Sequence, residues 1–405
     1  MTTSKGDPSA LRAMNRRTIL NHLRRIGPVS RTKLAELTGL SPASITGVTA
    51  ELIEDRWLIE QSIGKAGSSG GRRPIFMDIN YEAHYAVGLQ LNGHRLEGVI
   101  TDLSLRVLAH LSEDLSEHDP ARVTAQIAAL CKRLYKRAKV SSDDVIGIGI
   151  GLSGVIDAVR GIAVHAPVLA WRHVNIAQLV GEKTGLPVWV DNDVNSFAAA
   201  ERLFGHAKHA NNFLAVAIGR GLGAAIICNG EIHRGRDGGA GEFGHNKIQV
   251  GGRRCSCGQQ GCLEAYTTEP ALLAQFIERY PKKKGITTPE LLQLAEGGHK
   301  GALETLQTAG ALLGLHISYL VNAFNPELIV FGGEGAELGP SYFEPLRETL
   351  RSRAFDGLAD ELPLIVVPWS DDDFTLWTQG AASLAVQYAF DTSVLEMQRT
   401  PQLAF

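Results

Sequence analysis

The stretch PVWVDNDVNSFAAAERLFG, residues 187–205, opens with an apolar run that ends in Asp191, Asn192 and Asp193. Apolar and small side chains then recur at helical spacing from Val194 to Phe204. The pattern predicts a buried strand that passes directly into a helix, with polar groups at the junction. Junctions of this kind are typical of α/β proteins, where ligands bind at the carboxyl ends of strands.

The same alternation of strand-like and helix-like segments extends over the chain beyond Asn80. Predicted strands are YAVGLQL, LEGVITDL, VIGIGIGL, PVWVDND, FLAVAIG, AAIICNG, ELIVFGG and PLIVVP. Predicted helices span 121–138, 173–185, 194–204, 269–280, 288–296 and 300–323. Two Gly-rich strand-turn-strand units, one after Val87 and one after Ala217, indicate duplicated lobes.

Composition excludes several classes of protein. The 405 residues are 44% hydrophobic and 20% charged, which excludes wholesale disorder. Five cysteines are too few for a disulfide framework, and three of them fall within eight residues, which favours metal binding. We find neither a signal-peptide pattern nor a run of about 18 apolar residues, so we expect a cytoplasmic protein without a membrane partner.

Charge is distributed unevenly along the chain. Residues 1–77 hold twelve Lys and Arg against six Asp and Glu, a net charge of +6, which leaves −9 for the remainder. A small basic head on an acidic body suggests that the head binds a polyanion. The alternative is an accidental excess of solvated charge.

The head has the spacing of a winged helix-turn-helix. Three helices are predicted, the first around Asn15 to Arg25, the second from Arg31 to Leu37 and the third from Pro42 to Glu54. The third helix is the predicted recognition helix, and its small or polar residues are suited to the major groove. The predicted DNA-contacting residues at this helix are Ser41, Ala43, Ser44, Thr46, Gly47 and Thr49.

A hairpin wing is predicted after the third helix. Trp57-Leu58-Ile59 and the segment IFMDI form its strands, and the Gly-rich tip between them carries Lys65, Arg72 and Arg73. Arginines on such a loop can enter a minor groove, so Arg72 and Arg73 are predicted DNA contacts. By itself the tip also fits a solvated loop.

A dense group of metal-binding residue types follows in the body. His245 is separated by nine residues from Cys255, and Cys257 and Cys262 come next. Three thiolates and an imidazole suit a closed tetrahedral Zn²⁺ site, and Gly258 and Gly261 allow the tight winding that this needs. The alternative is a set of buried, unligated thiols.

The runs DNDVNSFAAAERLFG, GGAGEFGH, CSCGQQGCLEAY and NAFNPELIVFGG resemble the ROK family of sugar kinases and sugar-responsive repressors. With the basic head, the resemblance covers nearly the whole chain and points to the repressor branch. It implies an α/β fold with an N-terminal winged helix-turn-helix at 1–80 and a two-lobed actin-like, hexokinase-like domain at 81–405. The first lobe is expected at about 81–192 plus the C-terminal helix, and the second, with zinc, at about 193–380.

The resemblance also implies a sugar site in the cleft between the lobes. The family residues that grip sugar hydroxyls match Asn192, Asp193, Glu242, His245 and Glu264 here. Carboxylates and amides suit this role because they pair with vicinal hydroxyls. His245 would join the two sites, with one ring nitrogen on zinc and the other facing the sugar. The alternatives are that all five residues are structural and that Asp193 is a helix N-cap.

The nucleotide side of the family pattern is altered. A ROK kinase has a D-x-G-G-T turn, whereas this chain has Gln90-Leu91-Asn92-Gly93-His94. The loss of an acid and of a glycine weakens the binding of magnesium and phosphate. The second phosphate loop, which begins at Ile218, keeps its glycines but has Arg220 where Thr is usual. Asp193 matches the family's general base, but without a positioned phosphoryl donor it transfers nothing, so no catalytic residue is assigned.

These observations favour a sugar-responsive transcriptional repressor that binds operator DNA and a sugar or sugar-phosphate effector. One head reads one half-site, which predicts a homodimer or a dimer of dimers on a pseudo-palindrome. Effector binding is expected to bias closure of the lobes and so to re-aim the heads. Two alternatives stay open: a sugar kinase with an appended DNA-binding domain, and a body that docks a transport protein.

Overall fold

A computed structural model describes residues 8–62, 75–369 and 375–390. Two compact units make up the chain: Met1–Asp191 with Thr378–Phe405, and Asn192–Trp377. Within the described residues, none of the helices combines the length and the apolar character needed to cross a membrane.

The head is a small winged-helix domain within the first unit. Its elements are α1 (Pro8–Ile26), β1 (Val29–Ser30), α2 (Arg31–Thr38), α3 (Pro42–Glu54), β2 (Leu58–Ser62) and β3 (Ile75–Ile79). Side chains start two of the helices: the hydroxyl of Ser30 accepts from Lys33 N, and that of Ser41 accepts from Ser44 N. Gly39 ends α2 in the left-handed conformation, at a φ of 69°. The three predicted helices and the hairpin are therefore present.

Two details of the head differ from the sequence prediction. The two-residue strand β1 was not predicted, and it pairs with β3 in a three-stranded sheet of order β1-β3-β2. Thr49 was expected to face DNA, but it is fully buried. Its hydroxyl donates to Ile45 O at 2.8 Å and accepts from Arg31 Nε at 3.0 Å, so both of its hydrogen-bonding roles are used within the head. Thr49 therefore holds α3 against the head and is not available to bases. The predicted wing-tip residues Lys65, Arg72 and Arg73 lie outside the described residues.

The rest of the first unit is built on a five-stranded sheet of order β11-β7-β4-β5-β6. Its strands are β4 (Tyr85–Leu91), β5 (Arg95–Asp102), β6 (Val107–Asp114), β7 (Val145–Leu152) and β11 (Val188–Asn192). A smaller antiparallel sheet contains β8 (Val155–Asp157), β9 (Ile162–Ala166) and β10 (Trp171–Val174). The helices are α4 (Pro120–Ala138), α5 (Ile176–Thr184) and the C-terminal α12 (Thr375–Phe390), which begins three residues before the unit boundary. A buried apolar core joins the large sheet to α4 and α5.

The second unit repeats this plan with a sheet of order β14-β13-β12-β15-β16. Its strands are β12 (Phe213–Ile218), β13 (Leu222–Cys228), β14 (Glu231–Ile232), β15 (Leu328–Gly332) and β16 (Leu364–Val366). Its helices are α6 (Asp193–Leu203), α7 (Glu264–Thr267), α8 (Glu269–Arg279), α9 (Thr288–Glu296), α10 (Lys300–Phe324) and α11 (Pro340–Arg353). In both five-stranded sheets, the strand that comes first in the chain (β4 or β12) pairs antiparallel with the second and parallel with the fourth. This repetition agrees with the two Gly-rich units seen in the sequence.

The predicted α/β fold class with an N-terminal winged helix-turn-helix is confirmed. Every predicted body strand and helix is present, most of them within one to three residues of the expected bounds. The strands β6, β8 to β10 and β14 and the helices α7 and α11 were not among the predicted elements. The segments of β8 to β10 are short and mix polar with apolar residues, so they lack the period-two pattern that identifies a strand.

Candidate functional site

The first residues of β13 support three separate segments of the second unit. The side chain of Val194, in the first turn of α6, packs against Gly223, where a Cβ would lie 2.8 Å from Val194 Cγ2. Ala224 N donates to Gly241 O at 3.1 Å, and Leu222 N donates to Glu264 Oε2 at 3.2 Å. The start of β13 thus gathers the DND, GEFGH and post-cysteine segments into one region.

The DND segment is shaped by the start of α6. Asn192 is the N-cap, and its Oδ1 accepts from Val194 N at 2.8 Å. Asp193 is the first residue of the helix, and its own Oδ1 lies 2.9 Å from the same N–H. The suggested N-cap role of Asp193 was therefore wrong by one residue, because Asn192 has the extended conformation that a cap requires.

The GEFGH segment packs closely on β13. A Cβ at Gly241 would lie 1.9 Å from Ala224 O, and Gly241 has a φ of 92°, so only glycine fits this position. The turn that follows, Phe243–His245, places Glu242 and His245 side by side, with 3.7 Å between Glu242 Oε2 and His245 Nε2.

The electrostatics around Glu242 indicate that three carboxylates share one region. Partial desolvation raises the pKa of Glu242, although its side chain is 41% exposed; His245 lowers it, and the negative charges of Asp193 and Glu264 raise it. Acceptor-rich groups so arranged can bind the hydroxyls of a polyol. All five predicted sugar-binding residues lie in the second unit.

The four predicted metal ligands form a compact cluster. The ligand atoms of His245, Cys255, Cys257 and Cys262 all lie within 4.8 Å of one another. Cys257 Sγ and Cys262 Sγ are 3.8 Å apart, and Cys255 Sγ is 3.6 Å from His245 Nδ1. In a tetrahedral zinc site, bond lengths of about 2.3 Å to sulfur and 2.0 Å to nitrogen place ligand atoms about 3.5 to 3.8 Å apart. The donor set and its spacing therefore fit Zn²⁺.

Two further features support this cluster. Gly261 has a φ of 79°, and a Cβ there would lie 1.7 Å from Gln249 O, so the loop needs a glycine at this point, as the sequence suggested. The Lys247 ammonium lies 2.8 Å from Cys262 Sγ and places a positive charge beside three thiols. Lys247 was not identified from the sequence.

Glu264 connects the cluster to β13. Its Oε1 accepts from Ser256 Oγ at 2.6 Å and lies 3.3 Å from Cys255 Sγ, while its Oε2 accepts from Leu222 N. The carboxylate is only 8% exposed. Glu264 thus positions the cysteine loop, in addition to any contact with a ligand.

Both loops that correspond to phosphate loops are engaged with their own chain. In the first loop, Asn92 Oδ1 accepts from Arg95 N at 3.0 Å and from His94 N at 3.4 Å. In the second, Gly219 N donates to Gly221 O at 3.0 Å.

Glu334, which was not identified from the sequence, also contacts the second loop. A Cβ at Gly219 would lie 2.2 Å from Oε2 of Glu334, so this carboxylate rests on the second loop. Glu334 directly follows Gly332-Gly333, but one sequence contains no signal that it would reach a loop more than 100 residues earlier.

The predicted recognition surface lies on α3 and at its N-cap. Ser41, Ala43, Thr46 and Gly47 are exposed, and Ser44 is half-buried. A Cβ at Gly47 would meet no atom within 4 Å. The opposite side of the helix is buried in the head through Ile45, Val48 and Leu52. The outward side of α3 therefore carries small side chains.

Comparisons with known proteins agree with this arrangement. The ROK family model matches residues 86–388. The xylose repressor of Bacillus spizizenii is 31% identical over 359 residues, which cover 89% of this chain and 92% of that protein.

Two solved structures show how far the similarity extends. The structure of a ROK family transcriptional regulator, described as a homologue of the Escherichia coli MLC protein, has a TM-score of 0.84 and 28% identity, and the match covers 96% of this chain and 99% of that chain. A ROK hexokinase from Thermus thermophilus has a TM-score of 0.62 and 29% identity, over 74% of this chain and 97% of that one. The family match spans about three quarters of the sequence and the repressor relatives nearly all of it, so this chain belongs to the ROK family.

Proposed function

We propose that this protein is a sugar-responsive transcriptional repressor without kinase activity. One combination carries the proposal: a winged-helix head occurs in one chain with the residues that the family resemblance assigns to sugar hydroxyls, while the turn Gln90–His94 lacks the acid and one glycine of the family's phosphate loop. The high similarity to a transcriptional regulator over 96% of the chain supports it, since the hexokinase match covers only 74%.

The head would bind operator DNA with α3 in the major groove. Ser41, Ala43, Ser44, Thr46 and Gly47 form its recognition surface, and the wing arginines Arg72 and Arg73 would reach the neighbouring minor groove. Because one head reads one half-site, we propose a homodimer, or a dimer of dimers, on a pseudo-palindromic operator.

The second unit would bind the effector. Asn192, Asp193 and Glu242 offer amide and carboxylate groups to vicinal hydroxyls, and His245 adds a ring nitrogen. The effector is a sugar or a sugar phosphate.

Zn²⁺ would be held by His245 Nδ1 and the three cysteine sulfurs, and when bound it supplies a rigid anchor for the GEFGH segment. Lys247 would offset part of the thiolate charge.

The effector would act by its different affinity for two conformations of the protein. A shift from 99:1 to 1:99 requires about 5.5 kcal/mol of differential binding. The five residues that the resemblance assigns to the sugar all belong to one unit. Asn192 is the first residue after the chain enters the second unit, and we propose that the effector acts on this crossing.

The test is an operator-release experiment. A DNA duplex is first selected from a random library with purified full-length protein, and its affinity is then measured by fluorescence anisotropy with a panel of monosaccharides and their phosphates. We expect one member of the panel to weaken operator binding by about tenfold or more. The same panel with magnesium ATP is monitored for ADP release.

Each outcome separates the alternatives. Sugar-dependent ADP release at about 1 to 100 per second would establish the kinase and overturn the proposal. A protein that binds operator but responds to no member of the panel would favour the third alternative, control by a docked transport protein. Failure to select any duplex would remove the DNA-binding function.

A further inference from the structure

The C-terminal end of α12 contacts the first helix of the head. Arg17 of α1 is only 7% exposed, and its Nε donates to the backbone carbonyl of Tyr388 at 2.8 Å. Its guanidinium also lies over the Tyr388 ring, 4.2 Å from the centroid. Tyr388 lies in the last described turn of α12 (Thr375–Phe390). Arg17 therefore holds this turn of the helix through a charged donor and a cation–π contact.

Tyr388 in turn contacts the strand that leads to the sugar residues. Its ring packs against that of Trp189, with 5.1 Å between the centroids. Trp189 lies in β11, three residues before Asn192, where the chain passes into the second unit. The chain returns to the first unit between Trp377 and Thr378, within α12. The chain therefore crosses between the units next to β11, which contacts Tyr388, and within α12, which contains it.

The helix α12 rests directly on the sheet of the first unit. A Cβ at Gly88 of β4 would lie 1.9 Å from Thr378 O, and one at Gly149 of β7 would lie 1.7 Å from Ala381 O. Backbone packed on backbone leaves little room for local bending, so a displacement at the start of α12 is expected to move its far end as well.

On the head side, α1 is tied to the recognition helix. Arg12 pairs with Glu51 at 2.8 Å, and Arg16 pairs with Asp55, the C-cap of α3, at 2.7 Å. A shift of α1 would therefore carry α3 with it.

The head has a second attachment near the covalent link. The ring of His84 stacks on that of Trp57 at 4.4 Å, His84 Nε2 lies 3.0 Å from Asp55 O, and Arg56 pairs with Asp144. Attachment in this region alone would let the head rotate about the link. A second point at Arg17 fixes its orientation relative to the rest of the first unit.

We propose that Arg17 is a positioning residue that couples effector binding to DNA binding, by fixing α1 of the head to the C-terminal end of α12 through Tyr388. The inference rests on the proposed function, because it specifies how the effector signal reaches the recognition helix. Arg17 and Tyr388 touch neither the recognition surface nor the sugar residues, so their removal is expected to break communication while leaving both binding events intact.

The experiment uses full-length Arg17→Met, which keeps much of the aliphatic stem but removes the hydrogen bond to Tyr388 O and the charge, and Tyr388→Leu. Arg137→Met is the matched control, since Arg137 is an exposed arginine on α4. Effector affinity is measured by calorimetry without DNA, and operator affinity by anisotropy with and without saturating effector, starting with D-xylose, D-glucose and N-acetyl-D-glucosamine. The coupling factor is the ratio of the two operator dissociation constants.

We expect effector affinity near the wild-type value in Arg17→Met and Tyr388→Leu, and a coupling factor reduced at least about fivefold toward one, whereas Arg137→Met keeps the wild-type factor. A wild-type coupling factor in both variants would overturn the inference. Arg17→Lys keeps the charge but not the planar stacking group, so partial retention of coupling is expected there, and it serves where Arg17→Met does not fold.

A second readout separates this inference from the proposed function. Hydrogen exchange of the last turn of α12 requires neither DNA nor effector, and it is expected to speed up in Arg17→Met but not in Arg137→Met. If wild-type protein shows no effector response, the proposed function fails. Coupling by Arg17 then fails with it, even where the exchange result confirms that Arg17 holds the end of α12. If exchange and coupling factor are both unchanged, the inference alone is wrong.

Discussion

His245 directs Nε2 toward Glu242 Oε2 at 3.7 Å and Nδ1 toward Cys255 Sγ at 3.6 Å. One ring thus belongs both to the metal cluster and to the group of carboxylates proposed to bind sugar. A metal on Nδ1 would fix the orientation of the ring and leave Nε2 facing Glu242. The state of the metal cluster and the affinity for the effector are therefore expected to change together.

Replacement of Cys257 by serine tests the metal cluster. Cys257 is exposed, so the substitution leaves no cavity and acts mainly through the metal. We expect about one zinc per chain in wild-type protein and loss of zinc in Cys257→Ser. The unit Asn192–Trp377 should lose about 5 °C or more in Tm, since each kcal/mol shifts Tm by about 2 to 4 °C in a domain of its size. Elemental analysis and calorimetry measure both, and Cys228→Ser is the control outside the cluster. Absence of zinc from freshly purified wild-type protein would contradict the assignment.

Gly47 tests the recognition surface. There is open space around a Cβ at this position, so Gly47→Glu should fold. Its carboxylate would meet DNA phosphates, and we expect operator affinity to fall about 100-fold, because like charges placed together at an interface cost several kcal/mol. Gly47→Ala should keep most of the affinity and raise stability by about 1 kcal/mol, since alanine favours the helix. Equal affinity of Gly47→Glu and wild type would remove α3 as the recognition helix.

The raised pKa of Glu242 predicts a dependence of stability on pH. In the folded protein this carboxyl binds its proton more readily than in the unfolded chain, mainly because it is partly desolvated, although its side chain is 41% exposed. Its contribution to stability is therefore fully present below its ordinary unfolded pKa and is lost as pH rises through the raised folded value. Glu242→Gln should raise Tm slightly at neutral pH, abolish this part of the pH dependence and weaken effector binding. Denaturation curves from pH 4 to 7 measure the effect, with the exposed Glu231→Gln as control. If Glu242→Gln lowers Tm at pH 7, neither desolvation nor repulsion from Asp193 and Glu264 destabilises the charged form of Glu242, and the prediction is wrong.

Asp193 tests the effector site. Asp193→Asn can still accept from Val194 N, so we expect it to fold, to keep zinc and to bind operator. Loss of a charged hydrogen-bond acceptor is expected to reduce effector affinity about 10-fold to 100-fold. Calorimetry with the effector identified by the panel provides the measurement, and Asp237→Asn, an exposed residue of the same unit, is the control. A wild-type response to effector in Asp193→Asn would place the effector elsewhere.

The wing is tested by replacing Arg72 and Arg73 with alanine. We expect weaker operator binding and less preference for A·T-rich flanks, because arginines favour the deep negative potential of a narrow minor groove. Anisotropy on two duplexes that differ only in their flanks provides the comparison. Unchanged affinity and unchanged flank preference would exclude the wing from DNA recognition.

Much of this protein could be predicted from the sequence because its signals are local. The helix bounds Pro42–Glu54 and Thr288–Glu296 and the strand bounds Tyr85–Leu91 agree with prediction to the residue, since caps and apolar periodicity are encoded over a few neighbouring positions. Residue types also predicted the cluster of His245 and the three cysteines. Four ligand residues so close in the sequence can converge once glycines allow the loop to turn.

Other features depend on which distant segments meet, and these only the tertiary structure decided. Thr49 is polar and lies on a helix rich in small residues, but Arg31 of the neighbouring helix turns it into a buried contact. Glu334 reaches Gly219, and Arg17 reaches Tyr388 across 371 residues of sequence. The sequence determined the elements, their order and the chemistry of the binding groups, since these follow from short-range preferences. The tertiary structure decided which polar groups are already bonded and which surfaces remain for ligands, because that depends on packing between segments far apart in the chain.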